Sequence, residues 1–482
     1  MLPIDDGDSD QHVGGAEHES WSGEDIAMAP SAAITFSDAL ARAPLRTFQW
    51  VTLAVCMLVL VSDGIDMQLL GIVAPLVIKD FGVDRSTFGI AMSAALVGFG
   101  LGAWGGGWLG DRIGRRYTLA LAALIFASAT IAASWSGGVW AMAWWRVCGG
   151  LGFGAAYANS LAMASEWLPD RWRPVAVSTI AVGTPVGGSV VGWLGPDLAE
   201  AYGWRGTFIV FGVATLVLVA IVLAILRDSP SFLLSKGKPV QAARVARRVL
   251  SDAPELIAER HGTDSDSGPS IGVLHRTNLR LNVGVGIAFT ATAMAAYGIL
   301  NWTTTFLTAA GFTLEQAGNA VSVAGITSLA GSVLAGLFTR RFGSKRVTAA
   351  LSATLTVLML ALAYVVETLP AAPGPAERTL TIVLIGAAAA VFSASIATMY
   401  VIMVFSYPQS CRSAGIGFGI FTSRVGAIAA SGFGGVLLDM GQGSVLPFFA
   451  VLAVSAALIS MAAFVVDRHV PPARSARTGS TG

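Results

Sequence analysis

The sequence predicts an all-helical integral membrane protein, with twelve transmembrane helices arranged as two six-helix bundles. Three observations lead there. Hydrophobic residues make up 54% of the 482 and charged residues only 12%, whereas soluble domains carry roughly 25% charged residues. Twelve stretches approach the roughly 20 apolar residues that cross a bilayer's ~30 Å hydrocarbon layer as a helix. A basic turn after the second stretch returns, altered, after the eighth. A β-barrel would need short alternating strands, and the sequence offers none.

The segment 1–46 opens MLPIDDGDSDQHVGGAEHES. It is acidic where a secretory signal needs positive charge and poor in apolar residues, so it reads as a disordered tail. The first bundle, 47–227, holds stretches at 47–78, 86–109, 118–135, 139–166, 174–200 and 205–227. The first of these is expected to break near Gly64, because glycine weakens a helix. A polar linker, 228–280, follows, and its KPVQAARVARRVL is a basic amphipathic stretch expected to lie along the membrane surface. The second bundle, 281–466, holds 281–308, 315–338, 347–367, 379–406, 413–438 and 445–466, and a second tail covers 467–482.

With the N-terminus inside, 24 of the 30 Lys and Arg fall in the tails and loops of that side, and the other side holds only Lys79, Arg85, Arg205 and Arg378. This asymmetry predicts cytoplasmic termini, in a bacterial inner membrane. A net charge of +1 gives no encouragement to nucleic-acid binding. Cys56, Cys148 and Cys411 have neither pairing nor metal-ligand spacing, and no cofactor is expected. Function as a monomer is expected.

WLGDRIGRRYT (108–118) and LFTRRFGSKRV (337–347) occupy the same place in each half, and both turn around one glycine. Two similar halves around a central site is an alternating-access architecture. GGWLGDRIGRR, with SEWLPDRWRP after helix 4 and RDSPSFLLSKGK after helix 6, resembles the major facilitator superfamily, and the resemblance runs from helix 1 to helix 12. DGID in helix 1 (63–66), Arg146 and Glu166 on helix 4, and SRVGAI around Arg424 are similar to the aromatic acid:proton symporters of that superfamily. The resemblance implies import of a benzoate-, hydroxybenzoate- or phenylpropionate-like acid. It also implies that the turn holding Asp111, Arg112, Gly114, Arg115 and Arg116 latches the halves in the outward-open state. There are departures. Arg340 and Ser344 stand in the second half where Asp111 and Arg115 stand in the first, so any carboxylate latch is single. GTPVGG (183–188) nearly matches a motif of proton-driven drug antiporters, although glycine packing explains it as well.

A charge at mid-membrane costs roughly 2.5–3.5 kcal/mol on insertion scales. Asp63, Asp66, Arg146 and Arg424 lie inside the helices, with Glu166 at the inner end of helix 4. They could form a static brace, but hydrophobic residues usually brace as well. Asp63 and Asp66, three apart, share a helix face. Two carboxylates in one low-dielectric site do not readily both ionise, so this pair is read as the proton site, with Glu166 as an accessory. No histidine falls in a helix to compete for that role.

Arg424 lies about 16 Å into helix 11 at ~1.5 Å per residue, and its guanidinium can hold a carboxylate through two hydrogen bonds. It is the expected substrate anchor, and Arg146 is expected to pair with the helix 1 acids; the reverse assignment stays open. Tyr297 and Asn301, four apart on helix 7, with Tyr400 on helix 10 and Asn159 on helix 4, are candidates for the substrate's ring and polar groups. Trp302 reads as a neighbour or an interface anchor. An enzyme would need a nucleophile–base or metal-ligand grouping, and a receptor a sizeable sensing domain. Neither is present in the sequence, so the competing reading is a proton/drug antiporter that exports organic compounds.

Overall fold

The apolar stretches become helices in the predicted order: α1 (Thr47–Phe81), α2 (Arg85–Ile113), α3 (Arg115–Ala133) and α4 (Val139–Trp167). Gly183–Ile225 follows and turns at Gly203 (φ 68°), a conformation that favours glycine, which divides it into α5 (183–202) and α6 (204–225). The second half holds α7 (Leu279–Ala309), α8 (Leu314–Phe342), α9 (Ser344–Glu367), α10 (Pro375–Ser406) and α11 (Arg412–Met440). It ends with α12 (Leu446–Leu458), continued by Ser460–Val465. This computed structural model describes residues 34–169, 171–250, 256–257, 272–408 and 411–472. The expected tail before 34, the end of the chain after 472 and linker residues 251–255 and 258–271 lie outside the described residues.

Among the described residues, ten helices are long and apolar enough to cross a membrane. One of them contains the Gly203 turn and makes two crossings. Val139–Trp167 is also of crossing length, at 29 residues, but carries Arg146 and four glycines. The twelve predicted crossings are therefore all present.

Glycine sets the distances between helices. A Cβ on Gly98 or Gly102 of α2 would stand 2.2 or 2.0 Å from the carbonyl oxygen of Val147 or Leu151 on α4, and one on Gly154 of α4 would stand 2.0 Å from that of Phe99. This small-residue seam lets two backbones touch. The expected break at Gly64 does not occur, since α1 is continuous through it. Gly64 is there for packing: its Cβ would meet the Thr184 carbonyl of α5 at 2.0 Å, while Gly187 of α5 fits against Val61 in the same way. GTPVGG thus has a packing explanation.

The core shared by the two halves lies toward one end. At the end carrying Gly82, Leu69–Val77 and Phe88–Ala94 share a core with Ala288–Phe306 of the second half. There Ser86 N–H donates to Asp439 (2.8 Å), Thr304 donates to the Gly71 carbonyl, and Gly89 lies against Gly432. Midway, Ser189 of α5 and Ser322 of α8 each donate to the other's carbonyl, at 3.2 and 2.8 Å. At the basic end, carrying the 111–116 turn, the first half has its own core of Leu53–Leu60, Leu119–Phe126, Phe153–Trp167 and Leu218–Leu226. Among the described residues, none of the second bundle joins that core.

Two expectations need correction. Residues 34–46 are not tail-like: Phe36–Arg42 is a helix whose Phe36 and Leu40 are buried, with Phe36 edge-on to Trp167 at 5.9 Å. The amphipathic stretch does form a helix, Pro239–Ala246, but Ala246, Val249 and Leu250 join the first-half core rather than presenting their apolar face to lipid.

Candidate functional site

The expected acid pair divides. Asp63 and Asp66 are both buried on α1, but they serve different helices. Asp66 takes a hydrogen bond from Thr130 of α3 (2.7 Å) and an ion pair from Arg146 of α4, which also donates to the Asp66 carbonyl (3.2 Å). Asp63 receives only a long bond from Thr184 of α5 (3.4 Å), and its Oδ1 has no partner among the described residues. The charges that act on it are Arg424 and Asp66.

Arg424 comes from the other half. Its guanidinium lies 4.0 Å from the centre of the Phe99 ring, Nη1 donates to the Tyr297 hydroxyl at 3.0 Å, and Nε is buried without a partner. No carboxylate within salt-bridge distance of it is found among the described residues. Tyr157 sits 5.7 Å from Phe99, in the same neighbourhood as Arg424, Asp63, Tyr297 and Tyr400. Tyr400 is edge-on to Phe289 at 5.4 Å. The candidate site is therefore a cation with no carboxylate partner among the described residues, walled by aromatic rings of both halves, with a poorly bonded carboxylate in its field. A planar, apolar carboxylate suits such a site.

Three sequence candidates lie elsewhere. Asn159 donates to the Gly106 (2.9 Å) and Ala155 (2.8 Å) carbonyls, which places it in the α2–α4 seam and away from Arg424. Asn301 donates to Ser431 of α11 (2.7 Å), which commits its amide to joining α7 and α11. Glu166 accepts from Arg115 Nε (2.9 Å) and so belongs to the basic turn, not to the helix 1 acids. Trp302 is fully buried against Gly434 and Gly435, not at an interface.

The basic turn is held within its own half. Arg115 bridges Asp111 and Glu166, and Arg112 stacks 3.9 Å over Trp108. Arg116 N–H donates to Asp228 (2.9 Å), which lies just past α6 at the N-terminus of α3. An anion is favoured at that terminus. Gly114 turns the chain at φ 102°, with room for no Cβ, since one would meet Asp228 at 2.6 Å. Burial pushes the Asp228 carboxyl above the usual carboxylate range, and the Arg116 bond partly opposes this. In the second half Ser344 replaces this arrangement: its N–H donates to the Val470 carbonyl (3.0 Å) and its Oγ lies 3.1 Å from His469 Nδ1.

The sequence reading missed Phe99, Tyr157, Thr130, Thr184 and Asp228. Tyr157 had a signal, since it stands eleven residues after Arg146, three helical turns on and on nearly the same face. Phe99 had none, because its role depends on an arginine more than three hundred residues away.

A sequence profile described as Major Facilitator Superfamily matches residues 56–370. The chain belongs to this superfamily. It is 29% identical over 434 residues to the 4-hydroxybenzoate transporter PcaK of Acinetobacter baylyi, covering 88% of this chain and 92% of the relative. It is 26% identical over 425 residues to the gallate transporter of Pseudomonas putida (86% and 92%). The 3-(3-hydroxy-phenyl)propionate transporter of Escherichia coli is 26% identical over 420 residues (86% and 93%). Among solved structures, the xylose transporter XylE from Escherichia coli, in a partially occluded inward open conformation, superposes with a TM-score of 0.66. It is 18% identical, with 88% of this chain and 99% of that one covered, and this likeness speaks for the fold alone. As a member of the major facilitator superfamily, the chain is a multi-pass membrane transporter and not an enzyme.

Proposed function

We propose that the chain imports an aromatic carboxylate together with a proton by alternating access. The observation that carries this reading is Arg424, a guanidinium between the two halves with no carboxylate partner among the described residues, set among Phe99, Tyr157, Tyr297 and Tyr400. Transporters of hydroxybenzoate, gallate and a phenylpropionate are all among its relatives, which supports an aromatic acid as the cargo.

Arg424 offers the substrate carboxylate its Nε edge, because Nη1 is occupied by Tyr297. Asp63 carries the proton. In the empty site the charge of Arg424 faces that of Asp63; in the loaded site it faces the substrate, and Asp63 is protonated. Neither state leaves an uncompensated charge in the bilayer, which would be costly. Asp66 and Arg146 act as a fixed cross-brace between α1 and α4.

The Lys and Arg distribution argues for a cytoplasmic basic end, with both termini inside the inner membrane. On that orientation the halves are joined outside and parted inside, which is an inward-facing state. The 111–116 turn, bonded among the described residues only within its half, would meet the second half when the carrier faces outward. A monomer holds every part this mechanism needs.

The test is uptake of labelled 4-hydroxybenzoate into proteoliposomes under an imposed pH gradient. Accumulation is expected when the outside is acid. Accumulation that persists without the gradient would remove the symport, and failure to bind any aromatic acid would remove the substrate class.

A further inference from the structure

Phe99 of α2 belongs to the first half and Arg424 of α11 to the second, and their stacked contact crosses between them. Phe99 has little freedom. It is buried, its carbonyl is closely covered by Gly154 of α4, and Gly98 and Gly102 on either side are seated against Val147 and Leu151. Arginine, by contrast, has a long stem carrying roughly 2 kcal/mol of rotamer entropy. The guanidinium carbon lies 4.0 Å from the centre of the Phe99 ring while the Tyr297 hydroxyl accepts from Nη1. Together they hold the guanidinium in place and leave Nε, buried, without a partner among the described residues, on the edge that can take a carboxylate through two parallel hydrogen bonds.

We infer that Phe99 is a positioning residue for Arg424, so that tight binding of the carboxylate belongs to the state in which α2 lies against α11 at this level. This rests on the reading of Arg424 as substrate anchor. The contact adjoins packing shared by the two halves. On the side of the closed end, Leu96 packs with Ala293 and Ala427 of the second half. On both sides of Phe99, Gly98, Gly102 and Gly106 of α2 keep another face of that helix against α4. When the halves rearrange, Phe99 moves with the first and Arg424 with the second, and the anchor loses its support. Affinity would then fall without any change in the residues that touch the substrate.

The test compares Phe99→Leu, which keeps an apolar side chain but removes the aromatic face, with Phe99→Tyr, which keeps that face. Affinities of the purified full chain for benzoate and for cyclohexanecarboxylate are measured by competition against labelled 4-hydroxybenzoate. A cation over an aromatic face contributes from about 0.5 to about 2 kcal/mol, so Phe99→Leu should weaken binding about 2- to 30-fold. The factor should be the same for both competitors, since the anchor and not the ring contact is lost, and Phe99→Tyr should bind like the wild type. Loss confined to benzoate would overturn the inference and make Phe99 a ring platform. A leucine variant that binds like the wild type would overturn it too, as would a tyrosine variant as weak as leucine. If cyclohexanecarboxylate does not compete even in the wild type, the tyrosine comparison decides alone. Should Phe99→Leu not fold, Phe99→Met is judged by the same outcomes. A wild type that binds no aromatic acid would instead bring down the substrate reading itself.

Discussion

Asp63 and Asp66 stand one turn apart on α1, yet Asp66 is bound by Arg146 and Thr130 while Asp63 has only the distant hydroxyl of Thr184. In the proposed mechanism this difference gives them separate tasks. Asp63→Asn should leave a folded protein that exchanges substrate across the membrane but does not accumulate it under a pH gradient. Asp66→Asn should instead leave Arg146 buried without its counter-charge, at a cost of about 3–5 kcal/mol, read as a lower unfolding temperature. Gradient-driven accumulation surviving Asp63→Asn would return the proton site to Asp66.

Arg424→Lys keeps the charge but not the planar fork. Hydrogen bonds to charged groups contribute about 1.5–3 kcal/mol each, so affinity for 4-hydroxybenzoate should fall about tenfold or more. Arg146→Lys, inside the brace, should affect stability more than affinity. Equilibrium binding to both variants checks this, and the opposite pattern would exchange the two arginine roles.

The charge balance of the site makes a further prediction. In the proposed cycle one substrate carboxylate replaces one aspartate carboxylate opposite Arg424, so transport of a monocarboxylate should be electroneutral, with one proton per molecule. Initial uptake into proteoliposomes at fixed pH gradient should not respond to a potassium diffusion potential. A strong response to an inside-negative potential would require a second proton or a different carrier of it.

The fold was legible because its signals are local. Apolar length gives the crossings, and the repeated basic turn gives the two halves. The charged site residues were legible because charge is rare in lipid: Asp63, Asp66, Arg146 and Arg424 needed no structure to be noticed. What they bond to was not legible, since three-residue spacing says that two aspartates share a face but not that a threonine and an arginine claim only one of them. Asn159 and Asn301 misled for the same reason. A polar side chain in a helix looks the same in sequence whether it faces a substrate or, as here, ties one helix to another through Gly106 or Ser431.

Asp228 supplies a pH dependence outside the bilayer. Burial raises its pKa in the folded protein, so the stability linked to it is fully present below the unfolded value, near ~3.9, and is lost as pH rises through the higher folded value. Asp228→Asn keeps an acceptor for Arg116 N–H and should flatten this component of a thermal stability profile taken upward from about pH 4. Gly114→Ala, forced to φ 102° and against Asp228, should cost about 1–3 kcal/mol at any pH in that range. A profile that Asp228→Asn leaves unchanged would detach the carboxyl from folding.

Gly89 tests whether closure at the far end depends on bare backbone contact. A Cβ on Gly89 would stand 2.1 Å from the Gly432 carbonyl oxygen, a distance at which the two helices must separate. The neighbouring bond from Ser86 N–H to Asp439 and the fit of Gly435 against Arg85 depend on the same approach. Gly89→Val should therefore disfavour the joined arrangement without disturbing the core of either half. Spin labels on Lys79→Cys and Gln442→Cys, exposed on opposite halves at that end, should report a longer distance in the valine variant. Transport should slow, because each cycle must pass through the joined state, while binding from the side carrying Gly82 should persist only at the lower affinity expected once Phe99 leaves Arg424. An unchanged label distance would mean that α2 and α11 can close with a side chain between them, and that other contacts, such as the Ser189–Ser322 pair, hold the halves together.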